Sequence, residues 1–98
     1  MVERTYIIND SGIRGRPAIL LVSTVAQFTS EVILEYKERQ VNLKSVMGVL
    51  SLGVPKRASI KVIAKGVDAV QAIEVVDQVM EKEEIGVQEH KWLMGLQP

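Results

Sequence analysis

Four short stretches of the chain alternate apolar and polar residues or are rich in β-branched side chains, which is typical of β-strands. They cover residues 2–8, 31–36, 40–43 and 58–64. The polar run Lys37-Glu38-Arg39 separates the second stretch from the third, and this spacing predicts a β-hairpin. The chain is therefore expected to contain four strands, with the middle two as neighbours.

Three further segments predict helices: the first and last repeat apolar residues every three or four positions, and the middle one is a short apolar segment between a cap residue and a terminator. They cover residues 17–28, 46–52 and 69–84. Pro17 suits the first turn of a helix, where its missing N–H costs no hydrogen bond. Ser45 is a good N-cap and Gly53 a good terminator for the second helix, and Asp68 can cap the third. The predicted order is β-α-β-β-α-β-α.

Elements in this order predict a two-layer α+β domain, in which three helices cover one face of a four-stranded sheet and the other face is open to water. Residues 87–98 show no clear period. The predicted domain therefore spans residues 1–86, followed by a C-terminal extension, 87–98. In that extension Leu93, Met94 and Leu96 either pack on the domain or mediate self-association as a homodimer, and a loosely ordered terminus is the alternative.

Composition narrows the class of function. A chain of 98 residues holds one domain, and a hydrophobic fraction of 47% favours a folded globule. The formal net charge of +0 gives no electrostatic reason to bind nucleic acid or an anionic membrane. No apolar run approaches the roughly 20 residues that span a bilayer, and the N-terminus lacks a signal-peptide pattern. We therefore expect a cytoplasmic protein without direct contact with nucleic acid or membrane.

The sequence lacks the residue combinations of common enzymes. It has no cysteine, and its single histidine, His90, lies in the extension, so neither a His-based dyad nor a multi-His metal site can be built. Gly12 and Gly15 do not form a phosphate-binding loop, because no Gly-Lys-Ser/Thr follows them. We expect no catalytic residue, no metal and no cofactor.

Two predicted helix starts could nevertheless carry chemistry. The segment 11–17 places Arg14 and Arg16 next to the free N–H groups of a helix start, which fits an anion site, and two solvated arginines are the alternative. Ser45 is either a helix cap alone or a phosphoacceptor at the start of the second helix. The local patterns leave both alternatives open.

Two longer motifs resemble those of one known family. Residues 10–18 read DSGIRGRPA, which closely resembles the active-site loop of HPr, the phosphocarrier of the bacterial sugar phosphotransferase system. Residues 42–53 read NLKSVMGVLSLG, which is similar to the regulatory segment of HPr from low-GC Gram-positive bacteria. The motifs have the family's separation. The resemblance runs from about residue 2 to residue 84 and implies the HPr fold, an open-faced β-sandwich with the element order given above.

Arg14 departs from the family's phosphocarriers. They place at this position the histidine that accepts phosphate from phosphoenolpyruvate through enzyme I. A guanidinium stays protonated and offers no nucleophilic lone pair, so relay of phosphate to sugar permeases is not expected. The chain instead resembles the histidine-lacking, catabolite-repression members of the family, which carry glutamine there. Gly15 and Arg57 also depart from the commoner family pattern.

The resemblance implies a regulator that is switched by phosphorylation. In the family, HPr kinase/phosphorylase modifies the serine that matches Ser45, and the phosphoprotein is a corepressor of catabolite control protein A, a LacI-type transcription regulator. The contact uses this phosphate, the loop arginine and an apolar patch around the short helix. Carried onto this chain, the partner-binding residues are Arg14, Arg16, Ile19, Val22, Val46, Met47 and Leu50.

Two other functions stay open at this point. One is a phosphotransferase component that accepts phosphate on a residue other than the usual histidine. The other is a domain that binds family partners without needing phosphate, which indifference of partner affinity to Ser45→Ala would support.

Overall fold

In the computed structural model, which describes residues 1–89, eight elements follow one another. They are β1 (Val2–Ile8), α1 (Arg16–Val25), β2 (Glu31–Tyr36), β3 (Arg39–Asn42), α2 (Val46–Leu52), β4 (Ser59–Lys65), α3 (Ala69–Lys82) and β5 (Gly86–Gln88). His90 and the predicted packing of Leu93, Met94 and Leu96 lie outside the described residues.

The strands form one antiparallel sheet in the order β3-β2-β4-β1-β5. The predicted α+β open-faced sandwich is confirmed, but the sheet has five strands rather than four. The additional strand, β5, was not predicted from the sequence, because three residues are too few to show a period of two. The predicted boundary between residues 86 and 87 falls inside this strand.

The strand and helix patterns meet in one hydrophobic core. In β1 the side chains of Tyr6 and Ile8 are fully buried, because alternate residues of a strand point to the same face. The helices contribute Leu21 and Val25 from α1, Val49 and Leu52 from α2, and Ile73, Val76 and Met80 from α3. Full burial of one such side chain stabilises the fold by about 1.5–3 kcal/mol.

The β2–β3 hairpin is confirmed, with β3 one residue earlier than predicted. Its two turn residues, Lys37 and Glu38, both have positive φ angles, of 51° and 68°. Positive φ at both central residues is the type I′ geometry, whose twist matches the twist of the flanking strands. The turn therefore sets the register in which Leu34 lies opposite Val41.

The first helix ends at Val25, three residues earlier than the pattern predicts, and Asp68 contacts the connection that follows it. Asp68 occupies the predicted N-cap position of α3, but its carboxylate makes no bond to that helix. It accepts hydrogen bonds from the N–H groups of Thr29 and Ser30, both at 2.9 Å, and from the Ser30 hydroxyl. These bonds lower the pKa of Asp68 from 3.8 to about 2, with the Ser30 hydroxyl as the main cause. The carboxylate thus holds the α1–β2 connection against the start of α3.

The last helix ends at Lys82, two residues before the predicted end at Glu84. Glu84 takes the left-handed conformation at φ 57°, its N–H bonds to Glu81 O at 3.2 Å, and the N–H of Ile85 bonds to Met80 O at 2.9 Å. This pair of bonds is a Schellman motif, in which the left-handed residue is usually glycine. Among residues 1–89, no helix is long and apolar enough to cross a membrane.

Candidate functional site

Ser45 is the N-cap residue of α2, as predicted. Its backbone is extended, at φ −112° and ψ 114°, and its Oγ accepts a hydrogen bond from the N–H of Gly48 at 3.0 Å. Glycine at position 48 leaves room for this bond, because a Cβ there would lie 3.3 Å from Ser45 Oγ. Gly53 ends the helix in the left-handed conformation, so both predicted ends of α2 are confirmed.

The residues before Ser45 form a tight turn that fixes how the chain enters the helix. Asn42 Oδ1 accepts from the N–H of Lys44 at 2.8 Å, and Asn42 O accepts from the N–H of Ser45 at 3.0 Å. The ammonium group of Lys44 donates to Phe28 O at 2.6 Å. Backbone and side-chain bonds therefore hold the serine in one place relative to the segment that follows α1.

Large apolar side chains are exposed on α1 and α2, which pack against each other. Ile19, Met47 and Leu50 are 54%, 78% and 40% exposed, and we call these three residues the apolar patch. Val46 is half-buried and packs against the core. Val22 is only 9% exposed and belongs to the core, because it lies on the inward stripe of α1 together with Val25. The prediction of Val22 as a surface contact therefore does not agree with its burial.

The loop before α1 depends on two glycines. Gly12, at φ 68°, lies so close to the chain that a Cβ there would be 2.7 Å from Val54 O. The neighbouring N–H of Ile13 donates to the same Val54 carbonyl at 3.0 Å, and the Ile13 side chain is fully buried. Gly15 is the N-cap of α1 with φ 62° and ψ −127°, a conformation that residues other than glycine rarely adopt. The buried Ile13 thus anchors the loop, and Arg14 next to it is exposed.

Arg16 is the first residue of α1 and already has an anionic partner. One of its terminal nitrogens lies 3.3 Å from Glu83 Oε1, beyond the end of α3, and the Arg16 side chain remains 70% exposed. Exposed ion pairs of this kind contribute 0 to about 1 kcal/mol. An incoming phosphate can therefore displace Glu83 at little cost, since phosphate offers a guanidinium stronger, bidentate bonds.

Arg14 lines a surface depression of about 350 Å³ together with Lys56. The remaining lining comes from Asp10 and from the segment Gly53–Pro55. Asp10 is paired with Arg57, whose Nε lies 2.9 Å from Asp10 Oδ1, and among residues 1–89 neither Arg14 nor Lys56 makes an ion pair. This end of the molecule is therefore basic, and the guanidinium of Arg14 offers no nucleophilic lone pair because it stays protonated.

The comparison with known families decides the assignment. A family described as "PTS HPr component phosphorylation site" matches residues 2–82. The chain belongs to the HPr family. The matched residues span β1 to the end of α3, so the HPr match includes the loop before α1 and Ser45, and it stops before β5.

Solved HPr structures have the same fold. A histidine-containing phosphocarrier protein of Mycoplasma is 31% identical, with 87% of this chain and 98% of that chain covered and a TM-score of 0.84. An HPr dimer from Thermoanaerobacter tengcongensis is 38% identical over 79% of this chain and 88% of that chain, with a TM-score of 0.68. The catabolite-repression protein Crh of Bacillus subtilis, described as a swapped dimer, is 39% identical over 74% and 85%, with a TM-score of 0.65.

Sequence reasoning missed two ion pairs, Arg16 with Glu83 and Arg57 with Asp10. Glu83 is 67 residues from Arg16, and Asp10 is 47 residues from Arg57. Neither separation follows a helix or strand period, so no local signal indicates these pairs. They form because the fold brings the loop before α1 to the same end of the molecule as the segments that follow α2 and α3.

Proposed function

We propose that this chain is a regulatory member of the HPr family that is phosphorylated on Ser45 and does not carry phosphate for sugar uptake. In this proposal HPr kinase/phosphorylase is the modifying enzyme, and the phosphoprotein is a corepressor of catabolite control protein A. The chain itself has no catalytic activity.

The observation that carries the proposal is the environment of Ser45 at the start of α2. The hydroxyl is fixed by the N–H of Gly48 at 3.0 Å, one turn from Met47 and Leu50, the two patch residues of the same helix. A partner can therefore contact a phosphate on Ser45 and the apolar surface of Met47 and Leu50 at the same time. The other motif of the family lacks its acceptor, because Arg14 occupies the position of the phosphocarrier histidine.

Phosphorylation would change the charge at this end of α2 while leaving the patch in place. A phosphoserine adds about −1.5 to −2 charges and three strong acceptor oxygens. The nearest N–H groups of α2 can bond to these oxygens in place of the hydroxyl. A partner with a basic pocket beside an apolar surface would then bind the phosphoprotein more tightly than the unmodified chain.

The modification is tested by intact mass after incubation with HPr kinase/phosphorylase and ATP. We expect the wild type to gain one phosphate and Ser45→Ala to gain none. Ser51→Ala is the matched control, because Ser51 lies on the same helix and its hydroxyl bonds only to Gly48 O at 2.6 Å. Equal modification of wild type and Ser45→Ala, or none in either with an active kinase, would contradict the proposal.

Partner binding is tested separately with the phosphoprotein and catabolite control protein A. We expect Met47→Ala to weaken this binding at least tenfold, because Met47 is the most exposed residue of the apolar patch, at 78%. Val70→Ala is the matched control, since Val70 is an equally apolar, 54% exposed residue on α3. Equal binding of phosphorylated and unmodified wild type would favour the phosphate-independent module instead.

The alternative, a phosphocarrier with another acceptor, is tested with phosphoenolpyruvate and enzyme I. The wild type is expected to gain no phosphate, because Arg14 offers no lone pair. Arg14→His is the informative variant, since it restores the family's acceptor type in the same loop. Phosphate on the wild type would contradict our proposal that this chain does not carry phosphate for sugar uptake.

Self-association is part of the proposal. HPr of Thermoanaerobacter tengcongensis and Crh of Bacillus subtilis are each described as dimers. We therefore expect this chain to form a homodimer at sufficient concentration, which light scattering after size-exclusion chromatography would detect.

A further inference from the structure

The strand β5 lies beyond the stretch that matches the HPr family, yet it is part of the sheet. The match ends at residue 82, and β5 begins at Gly86. It pairs with β1 in the register Tyr6–Gln88, Ile7–Val87 and Ile8–Gly86. In the order β3-β2-β4-β1-β5, removal of β5 would leave β1 as the edge strand.

The backbone of β1 bonds to its two neighbours through alternate residues. On the β4 side, the N–H of Ile8 bonds to Ala58 O at 2.9 Å. On the β5 side, the N–H of Asn9 bonds to Ile85 O and the N–H of Glu89 bonds to Thr5 O, each at 2.8 Å. Hydrogen-bonded pairs alternate in antiparallel sheets, so Ile7 and Val87, halfway between these bonds, are also a hydrogen-bonded pair.

Side chains hold β5 on this edge. Asn9 Nδ2 donates to Glu84 O at 2.6 Å, and Ile85 is buried at 4% exposure. Gly86 allows the close approach of the two strands, because a Cβ there would lie 2.8 Å from Ile7 O. The covering of β1 therefore depends on particular residues and not on chain proximity alone.

The two edges of the sheet differ in what they could bind. The opposite edge, β3, has only four residues, of which Arg39, Gln40 and Asn42 are exposed, and short polar edges are poor templates for another strand. β1 has seven residues and carries Tyr6, Ile7 and Ile8 in its second half. If β5 leaves, the backbone groups of Thr5, Ile7 and Asn9 that face it lose their partners, and a second strand can replace it.

We propose that the outer edge of β1 is a self-association surface for a second copy of this chain, and that β5 competes for it. Two β1 edges can pair antiparallel about a two-fold axis, which gives a closed, symmetric dimer. With β5 docked the chain is monomeric, and displacement of β5 permits the dimer. This inference rests on the self-association proposed above and assigns it a surface and a control.

A matched pair of proline variants in the full-length chain tests the competition. Val87→Pro removes the N–H that bonds to β1, whereas Gln88→Pro removes an N–H that points away from β1, because position 88 is in a pair without hydrogen bonds. We expect Val87→Pro to lower the dimer dissociation constant at least tenfold and Gln88→Pro to leave it unchanged, as measured by sedimentation equilibrium. Gly86→Ala is a second route to the same result, since its Cβ would collide with Ile7 O.

The outcomes distinguish self-association itself from its control by β5. If wild type, Val87→Pro and Gly86→Ala are equally dimeric, self-association stands and the competition by β5 is wrong. If all three stay monomeric at every concentration, self-association itself is wrong. Should both variants fail to fold, hydrogen exchange on the wild type decides: on dimerisation the amide of Glu89 should lose protection while that of Ile7 keeps it, and retained protection of Glu89 would overturn the inference.

Discussion

The phenol of Tyr6 donates a hydrogen bond to Asp77 Oδ1 at 2.5 Å, which joins the central region of β1 to α3 across 71 residues of sequence. The other carboxylate oxygen, Asp77 Oδ2, lies 3.2 Å from a guanidinium nitrogen of Arg4. Burial of the ring is the main reason why the pKa of Tyr6 lies well above 10.0, and the bond to the carboxylate raises it further. The folded protein therefore keeps this phenol protonated at pH values where the unfolded chain ionises.

Loss of this bond should make stability less sensitive to alkali. Tyr6→Phe should lower the free energy of unfolding by about 2 kcal/mol at pH 7, because it removes a hydrogen bond to a charged group. A raised folded-state pKa stabilises the protein below the unfolded pKa of 10.0, and this contribution is lost as the pH rises above it. The difference between wild type and Tyr6→Phe should therefore shrink above pH 10.0 in urea unfolding. Tyr36→Phe is the control, and a similar loss in that variant would contradict the assignment to Tyr6.

The ionised carboxylate of Asp68 should stabilise the fold at neutral pH and lose this effect in acid. Its folded-state pKa is lowered from 3.8 to about 2, so the carboxylate stabilises the fold above pH 3.8, and this contribution is lost as the pH falls towards 2. Asp68→Asn should be less stable than wild type at neutral pH, and the difference should diminish between pH 4 and pH 2 in thermal unfolding. Glu74→Gln, an exposed change on the same α3 helix, is the control. A pH-independent difference for Asp68→Asn would show that the charge is not the cause.

The left-handed residue after α3 offers a stabilising substitution. Glu84 adopts φ 57°, and glycine takes this conformation at lower cost than a residue with a Cβ. Glu84→Gly should raise the free energy of unfolding by about 0.5–1 kcal/mol. Glu81→Gly is the matched control, because the same change inside α3 should cost about 1 kcal/mol. Destabilisation by both would mean that Glu84 makes a favourable contact that outweighs its backbone conformation.

The stabilising effect of the Ser45 cap on α2 should be separable from the phosphorylation of the same residue. Ser45→Ala removes the acceptor of the Gly48 N–H and should lower the free energy of unfolding by about 1 kcal/mol. Ser45→Asp should keep most of this stability, because aspartate is an equally good N-cap, yet it cannot be phosphorylated. If denaturant unfolding shows equal losses in both, the hydrogen bond to Gly48 is not what stabilises the start of α2.

Local sequence patterns account for most of the fold. The alternation in residues 2–8 and 31–36 gave strands with the observed limits, because period two matches a sheet with one buried face. The α2 helix was predicted between Ser45 and Gly53, because the preference of serine for the N-cap and of glycine for the C-cap is a property of each single residue. The HPr motifs added the position of the candidate site, which no periodicity could supply.

The sequence by itself determined the order of the first seven elements, the core stripe of each helix, the Ser45 cap and the absence of a histidine at position 14. These are properties of neighbouring residues, and they act over one or two turns of chain. The tertiary structure decided the rest: the bonds of Asp68 to Ser30, the pairing of Arg16 with Glu83, and the docking of β5 on β1. Each of these depends on which segments meet in space, and contacts between distant segments leave no period in the sequence.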